Sequence, residues 1–212
     1  MSYAVKEMYY TLQGEGRQAG RSAVFCRFTG CNLWSGREAD RMRSVCQFCD
    51  TDFIGTDGPG GGRFSEADAL ARAIQEAWRG IGGKPLVVFT GGEPLLQLDE
   101  TLIYALKDRD FEIAIETNGT KPAPKGIDHI CVSPKSNAPL VLTEGTELKL
   151  VYPQLEPEAQ PERFIHLNFE HFYLQPMDGP NQERNTQEAI KYCLAHPQWS
   201  LSLQTHKYTN IP

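Results

Sequence analysis

Cys31, Cys46 and Cys49 are the residues of this chain whose type and spacing most clearly indicate chemistry. The Cys46-x-x-Cys49 pair places two thiolates within reach of one metal centre, and Cys31 adds a third. Three thiolates are one fewer than a structural zinc site or a four-cysteine iron–sulfur cluster uses. A [4Fe–4S] cluster with three protein ligands keeps one iron open for another molecule. We therefore expect the chemistry at that open coordination position.

Two other interpretations of these cysteines remain open. A Cys-x-x-Cys pair also occurs in redox dithiols. A zinc site would need a fourth ligand, and the histidines are all remote from the cysteines in sequence: His129, His166, His171, His196 and His206. The other cysteines, Cys26, Cys131 and Cys193, lie in apolar stretches and are predicted to be small buried hydrophobic residues.

Length and composition limit the classes of protein that the chain could belong to. Its 212 residues fit one domain, 1–212, with a sizeable core. A net charge of −6 disfavours binding to nucleic acid or to anionic membranes. The sequence has no apolar run of the roughly 20 residues that span a bilayer, and its start does not resemble a signal peptide. We expect a cytoplasmic protein, in which structural disulfides are uncommon.

Strand-like and helical patterns alternate along the chain. Residues 65–79 predict a helix with Ser65 as its N-cap, a second helix runs through Leu95–Leu106, and a last one covers 186–195. The proline-rich segment 118–126 is too short for a helix, and 55–62 is predicted to be a mobile surface loop. Apolar runs predict strands at 22–28, the first of them, and at 84–89, 111–115, 128–132, 146–151, 171–174 and 201–203.

This alternation predicts an α/β fold with a mostly parallel sheet and right-handed crossovers. Several crossovers are too short for a full helix, which favours a partial, splayed β/α barrel over a complete one. Polar clusters follow most of the predicted strands, at the edge where parallel sheets bind ligands. We expect these clusters to form the floor of a substrate or cofactor site: Thr90–Pro94, Glu116–Gly119, Ser133–Lys135, Gln175–Pro176 and Gln204–His206.

Three motifs resemble the radical S-adenosylmethionine superfamily: GCNLW around Cys31, CQFCDT at 46–51 and TGGEP at 90–94. The resemblance implies that the cysteines hold a [4Fe–4S] cluster whose open iron binds the amino and carboxylate groups of S-adenosylmethionine. The usual spacing in that superfamily is Cys-x3-Cys-x2-Cys, whereas fourteen residues separate Cys31 from Cys46 here. We expect this polar insertion to form a small helical or looped excursion that returns Cys46 to Cys31.

The resemblance also implies which residues contact the cofactor. Gly91 and Gly92 allow a close approach of the backbone to the methionine ammonium. Phe48 is expected to lie against adenine, and Glu116 and Ser133 to bind the ribose hydroxyls, although Glu116 could instead contact substrate. The full set of candidate cofactor residues is Phe48, Asp50, Gly91, Gly92, Glu93, Glu116, Ser133, Pro134, Lys135, Gln175 and Pro176.

The segment TLQGEGRQAGRSAVFCRFTGCNLW, together with CDT at 49–51, resembles the 7-carboxy-7-deazaguanine synthase family over nearly the whole chain. The resemblance implies a lyase that converts 6-carboxy-5,6,7,8-tetrahydropterin to 7-carboxy-7-deazaguanine and ammonia, a step towards queuosine. Magnesium is implied as a third cofactor, with Thr51 as its protein ligand. A flavodoxin or ferredoxin is implied as the electron donor, and we lean towards a homodimer.

A pterin presents amide-like edges and a carboxylate, so its site needs amide partners and cations. Gln13 suits the pterin edge, and Arg27 and Lys149 suit the carboxylate. His206 and the carboxylate of Pro212 are expected near the pterin amino group. The candidate substrate residues are Leu12, Gln13, Gly14, Glu15, Arg27, Thr90, Lys149, His206 and Pro212.

Two functions of different classes remain as alternatives. A glycyl-radical activating enzyme would use the same cluster to modify a protein, and it would need an open docking surface. A non-catalytic iron–sulfur or zinc module would serve electron transfer or protein interaction. The convergence of Gln13, Arg27 and Lys149 speaks against the first alternative, and the three-cysteine count speaks against the second.

Overall fold

The computed structural model describes residues 2–212, and their strands form one sheet of nine strands in the order β3-β1-β2-β4-β5-β6-β7-β8-β9. From β2 onwards the neighbours are parallel, whereas β1 runs antiparallel to both β2 and β3. Because β3 and β9 are edges, the sheet is not closed, and the predicted partial barrel is confirmed. The strands are β1 Tyr3–Leu12, β2 Ser22–Phe28, β3 Gly62–Phe64, β4 Leu86–Gly91, β5 Glu112–Thr117, β6 His129–Val132, β7 Glu144–Tyr152, β8 Asn168–Pro176 and β9 Trp199–Leu201.

The α-helices are α1 Ala67–Ala77, α2 Glu100–Lys107, α3 Gln182–Ala195 and α4 Thr205–Thr209. The predicted apolar stripe of α1 is confirmed, since Leu70 and Ile74 are fully buried in the main core. Asp99 caps α2 by accepting from the Leu102 N–H at 2.9 Å, as short polar side chains do at helix starts. Every helix within residues 2–212 is too short or too polar to span a bilayer.

The prediction that β2 is the first strand is wrong, because the ten-residue strand β1 precedes it. A β-bulge between Val5 and Glu7 shifts the register of β1 against β2. Val5 and Met8 therefore both face the core, three residues apart, and the alternation that identifies a half-buried strand is lost.

Three local predictions also need correction. Helix α1 begins after Glu66, so Ser65 is not its N-cap. Helix α3 begins at Gln182 rather than at 186, and Leu194 is exposed instead of lying on its apolar face. The loop 55–62 is held against β1, where Pro59 accepts from the Met8 N–H at 2.7 Å and Gly62 starts β3.

Alternation along the strands divides the sheet into two faces. Val24, Cys26 and Phe28 of β2 join the main core under α1 and α2. On the opposite face, Ala23, Val88 and Ala114 form a small apolar floor near the amino ends of the strands. Further along the same strands this face becomes polar, with Arg27 on β2 and Glu116 on β5. A cavity lies at this polar end of the face, where Arg27 and Glu116 line it.

Candidate active site

A cavity of about 440 Å³ opens at the carboxyl ends of the strands. Most residues that the sequence singled out line it, although Glu93 and Pro134 do not. The lining includes Leu12, Gln13, Gly14, Glu15, Arg27, Cys31, Cys46, Phe48, Cys49, Asp50, Thr51, Thr90, Gly91, Gly92, Glu116, Ser133, Lys135, Lys149, Gln175, Pro176, His206 and Pro212. Residues spread over 200 positions of sequence therefore surround one space.

The three cysteines meet at one wall of the cavity. The neighbouring Cys46 thiol lowers the pKa of Cys49 to about 6. Cys31 accepts from the Leu33 N–H at 3.4 Å; burial raises the pKa of its thiol, and the charge of Cys49 raises it further. All three thiols are free of disulfides. Convergent thiols with a thiolate at neutral pH fit an iron–sulfur cluster with three protein ligands.

The insertion between Cys31 and Cys46 returns the chain to the cysteine cluster, as predicted. It contains a 3₁₀ helix at Glu38–Arg43. Beyond this helix the Val45 N–H donates to the Leu33 carbonyl at 3.1 Å, which brings the two ends of the insertion together. The longer spacing therefore preserves the convergence of the three thiols.

Gly91 and Gly92 are required by the packing of the cysteine loop itself. A Cβ on Gly91 would lie 2.2 Å from the Phe28 carbonyl oxygen, and one on Gly92 would lie 2.1 Å from that of Gly30. Gly91 also has a φ of 132°, which favours glycine. The close approach that we expected towards a ligand thus also occurs towards β2 and the segment before Cys31.

Glu93 is buried beside these glycines, with its carboxylate outside the cavity lining. It accepts from the Thr117 hydroxyl at 2.7 Å, the Asn118 N–H at 2.8 Å and the Leu95 N–H at 3.0 Å. The Glu93 N–H in turn donates to the Gly30 carbonyl at 2.9 Å. The side chain thus binds the end of β5 while the backbone N–H binds the segment before Cys31, so the carboxylate is not free to contact a cofactor.

A buried charge cluster forms the base of the cavity. The Lys149 ammonium lies 2.6 Å from Glu15 and 2.9 Å from Glu116, and the Gln13 amide donates to Glu116 at 3.1 Å. Burial alone would raise the pKa of Glu15, but Lys149 lowers it to about 2. Burial raises the pKa of Glu116. Despite burial, the pKa of Lys149 lies above its ordinary range because Cys131, Glu116, Glu15 and Glu147 lie close to it.

Sequence reasoning missed a second layer beneath these charges. Glu116, Cys131 and Glu147 place their ligand atoms within 4.8 Å of one another on three adjacent strands. His129 Nε2 lies 3.4 Å from Glu147. Cys131 is buried as predicted, but its Sγ lies within 4.8 Å of a Glu116 carboxylate oxygen rather than only among apolar atoms. The sequence contained one signal for Glu147. It lies two residues before Lys149, and side chains two residues apart in a strand share one face of the sheet.

Arg27 projects into the cavity from β2 and is held by two residues of β1. Its Nε donates to Glu7 at 2.7 Å, and its Nη2 donates to the Tyr9 hydroxyl at 3.2 Å. The Tyr9 ring stacks on Phe25 at a centroid separation of 5.8 Å. Glu7 and Tyr9 were missed because β1 was missed. The geometry fixes the guanidinium at the cavity wall.

The rim brings together the remaining candidates. Lys207 of α4 lies 2.8 Å from Asp50 and 2.5 Å from Asp178, and Lys135 lies 5.9 Å from the Phe48 ring centre. Lys135 also donates to the Ser133 hydroxyl at 2.8 Å, and Gln175 accepts from Ser202 at 3.2 Å.

The carboxyl-terminal residues lie at the same rim. His206 packs so closely on Gly14 that a Cβ on Gly14 would lie 2.3 Å from the His206 Nδ1. An oxygen of Pro212 accepts from the Thr11 hydroxyl at 3.1 Å, and Thr51 adjoins the cysteine cluster.

Comparisons with known proteins show which family this chain resembles. The Radical SAM superfamily model matches residues 41–144, a range that includes Cys46, Cys49 and the Gly91-Gly92 pair. The 7-carboxy-7-deazaguanine synthases of Caulobacter vibrioides and Bordetella pertussis are each 63% identical over 100% of both chains. The crystal structure of QueE from Escherichia coli has a TM-score of 0.72 and 28% identity, covering 97% of this chain and 95% of that one.

Proposed function

Because this chain belongs to the 7-carboxy-7-deazaguanine synthase family, we propose that it converts 6-carboxy-5,6,7,8-tetrahydropterin to 7-carboxy-7-deazaguanine and ammonia. The observation that carries this proposal is the composition of one cavity. Three convergent thiols form one wall, and a lysine–carboxylate cluster with a fixed arginine lies within the same cavity. We assign the reaction to the biosynthesis of queuosine and related 7-deazapurines.

The cofactors of this reaction are a [4Fe–4S] cluster and S-adenosylmethionine. When bound, the cluster would supply the electron for the cleavage of S-adenosylmethionine that starts the reaction. Cys31, Cys46 and Cys49 would hold the cluster. The backbone carbonyls at Gly91 and Gly92, which line the cavity, would accept from the methionine ammonium, and Phe48 would contact adenine. The remaining candidates on this side are Asp50, Glu116, Ser133, Lys135, Gln175 and Pro176.

The pterin side of the cavity is built to hold a carboxylate next to an amide edge. Among the described residues, Arg27 donates from Nε to Glu7 and from Nη2 to the Tyr9 hydroxyl. Its Nη1 is then the group that would donate to a substrate carboxylate. Lys149 supplies a second cation. The Gln13 side chain and the backbone of Leu12, Gly14 and Glu15 would pair with the pterin edge, and Thr90, His206 and Pro212 would complete the enclosure.

Magnesium is the third cofactor that we propose, with the Thr51 hydroxyl as its ligand from the protein. Thr51 lines the cavity two residues after Cys49. Mg²⁺ commonly takes few protein ligands and fills its other positions with substrate oxygens and water. A substrate carboxylate between Arg27 and Thr51 would supply such oxygens. The ion would then fix the orientation of the pterin while the surrounding side chains exclude water.

We further propose a homodimer and a flavodoxin or ferredoxin as the electron donor. A cytosolic location suits three free thiols that must stay reduced to bind iron.

The test is anaerobic turnover of the reconstituted protein with dithionite, S-adenosylmethionine and Mg²⁺, analysed by mass spectrometry. We expect 7-carboxy-7-deazaguanine from 6-carboxy-5,6,7,8-tetrahydropterin and none from tetrahydropterin without the carboxyl group. If 5′-deoxyadenosine forms without any deazapurine, the proposed substrate is wrong and the cofactor assignment stands. If neither forms on protein with a full cluster, a non-catalytic iron–sulfur module replaces the proposed function.

A further inference from the structure

Arg41 lies in the middle of the insertion between Cys31 and Cys46 and contacts both ends of the cysteine motif. It belongs to the 3₁₀ helix Glu38–Arg43. Its side chain is only 25% exposed, whereas its neighbours Met42 and Arg43 point to solvent. A charged side chain that turns inwards from an otherwise exposed polar helix needs partners there.

The first set of partners belongs to the Cys46–Cys49 turn. Arg41 Nη1 donates to the Gln47 carbonyl at 2.8 Å and to the Cys49 carbonyl at 2.9 Å. Both carbonyls lie within the turn that carries the second and third cysteines. Hydrogen bonds from a charged donor are shorter and stronger than neutral ones, so this contact fixes the backbone conformation of the turn.

The second set of partners belongs to the segment after Cys31. The guanidinium carbon of Arg41 lies 4.1 Å from the centre of the Trp34 ring, three residues beyond Cys31. Trp34 is itself fixed, because it packs edge-on against Phe53 at 5.6 Å and donates to the Arg37 carbonyl at 3.2 Å. Glu38 accepts from Arg41 Nε through both carboxylate oxygens, at 2.8 and 2.9 Å, and sets the plane of the guanidinium.

The chemistry of this arrangement requires arginine. A guanidinium is planar, so it can stack face-on against an indole while it donates within its own plane to two carbonyls. A lysine ammonium carries the same charge on a single nitrogen and cannot reproduce that geometry. The need for such a contact follows from the spacing: fourteen residues between Cys31 and Cys46 do not by themselves constrain the distance between the thiols.

We propose that Arg41 is a positioning residue that joins the Cys46–Cys49 turn to the Cys31 segment and so maintains the thiol geometry that holds the cluster. This role rests on one part of the proposed function, which is that the three thiols bind an iron–sulfur cluster. Through its contact with the Cys49 carbonyl, Arg41 also places a positive charge beside the cluster. Net charge and hydrogen bonding are among the properties that set the potential of such clusters.

The test compares reconstituted wild-type protein with the variants Arg41→Ala, Arg41→Lys and Arg43→Ala. Arg43→Ala is the matched control, because it removes the same charge from an exposed position on the same helix. Cluster loss to an iron chelator is followed by visible absorbance under anaerobic conditions. We expect at least tenfold faster loss in Arg41→Ala and Arg41→Lys, equivalent to about 1.4 kcal/mol, and the wild-type rate in Arg43→Ala.

A second measurement separates positioning from a general effect on folding. The reduction potential of the cluster, read by EPR-monitored titration, should become more negative in Arg41→Ala and stay unchanged in Arg43→Ala. Wild-type cluster lifetime in Arg41→Ala, or full rescue by lysine, would overturn the proposal. It would also be overturned if both Arg41 variants failed to fold by circular dichroism, since Arg41 would then serve the fold. The product assay on wild-type protein tests the proposed function separately.

Discussion

The Lys149 ammonium lies 2.6 Å from the Glu15 carboxylate, so a cation on β7 meets an anion from the loop between β1 and β2 beneath the cavity. The two residues are 134 positions apart in sequence. Lys149 is only 4% exposed, and it also contacts Glu116 at 2.9 Å. Because these charges are buried together, the stability that each contributes is coupled to the presence of the others.

Replacing Lys149 tests this coupling. Lys149→Met leaves Glu15 and Glu116 buried without their cation, so we expect the free energy of unfolding to fall by about 3–5 kcal/mol. Urea denaturation measures this loss. In the double variant Lys149→Met/Glu15→Gln one of the uncompensated charges is gone, and part of the stability should return. Losses that simply add in the double variant would show that the two side chains are not coupled.

The stability contributed by Glu15 should depend on pH. Lys149 and the Gln204 amide hold the pKa of Glu15 at about 2, below its ordinary 4.5. A depressed carboxyl pKa stabilises the fold above the ordinary value and loses this contribution as the pH falls towards about 2, a change worth about 3 kcal/mol. The difference in unfolding free energy between wild type and Glu15→Gln should shrink by that amount across this range. Parallel pH profiles would contradict the assignment.

Gly92→Ala should impair cluster loading. The added Cβ would lie 2.1 Å from the Gly30 carbonyl oxygen and 2.7 Å from Cys31 Cβ, so the Cys31 loop must move. Overpacking costs about 1–3 kcal/mol, and about 1 kcal/mol already changes an equilibrium about fivefold. When iron is limiting, we therefore expect the Gly92→Ala variant to bind less iron per chain than the wild-type protein. The control is Gly145→Ala, whose Cβ would meet its neighbours at 3.0 Å or more and which should load normally.

Glu7→Gln should weaken substrate binding through Arg27. The carboxylate accepts from Arg27 Nε at 2.7 Å, and loss of this charge-assisted hydrogen bond, worth about 1.5–3 kcal/mol, frees the guanidinium to move. We expect a tenfold or larger rise in the KM for the pterin, about 1.4 kcal/mol or more, with kcat little changed. Tyr9→Phe removes the longer 3.2 Å contact and should have a smaller effect. An unchanged KM in Glu7→Gln would exclude this positioning role.

The sequence predicted the parts of the fold that depend on local pattern. Strand–helix alternation gave the open parallel sheet, and the polar residues after each strand gave the edge where the cavity lies. Strand β1 was missed because the bulge at Val5 and Glu7 disrupts its period-two pattern. Glu7 and Tyr9 were missed for the same reason. Their hydrogen bonds with Arg27 form only because β1 pairs with β2.

Register and irregular backbone account for the remaining gaps in the predicted site. The spacing of Glu147 and Lys149 places Glu147 on the cavity face of β7, but its approach to Glu116 and Cys131 depends on the pairing of β5, β6 and β7. Glu93 follows the glycines of the cofactor motif, yet its carboxylate turns into the protein to bind Thr117 and Asn118. Arg41 lies in an insertion without periodicity, so its contacts with Trp34 and Cys49 depend entirely on tertiary structure.

The central claim is that Cys31, Cys46 and Cys49 form the catalytic centre of a 7-carboxy-7-deazaguanine synthase. The most direct measurement is product formation by Cys49→Ala beside Cys193→Ala, a cysteine outside the cavity, under anaerobic turnover with 6-carboxy-5,6,7,8-tetrahydropterin. We predict that Cys193→Ala makes 7-carboxy-7-deazaguanine at the wild-type rate and that Cys49→Ala makes none. Product from Cys49→Ala, or none from wild-type protein with a full cluster, would contradict the claim.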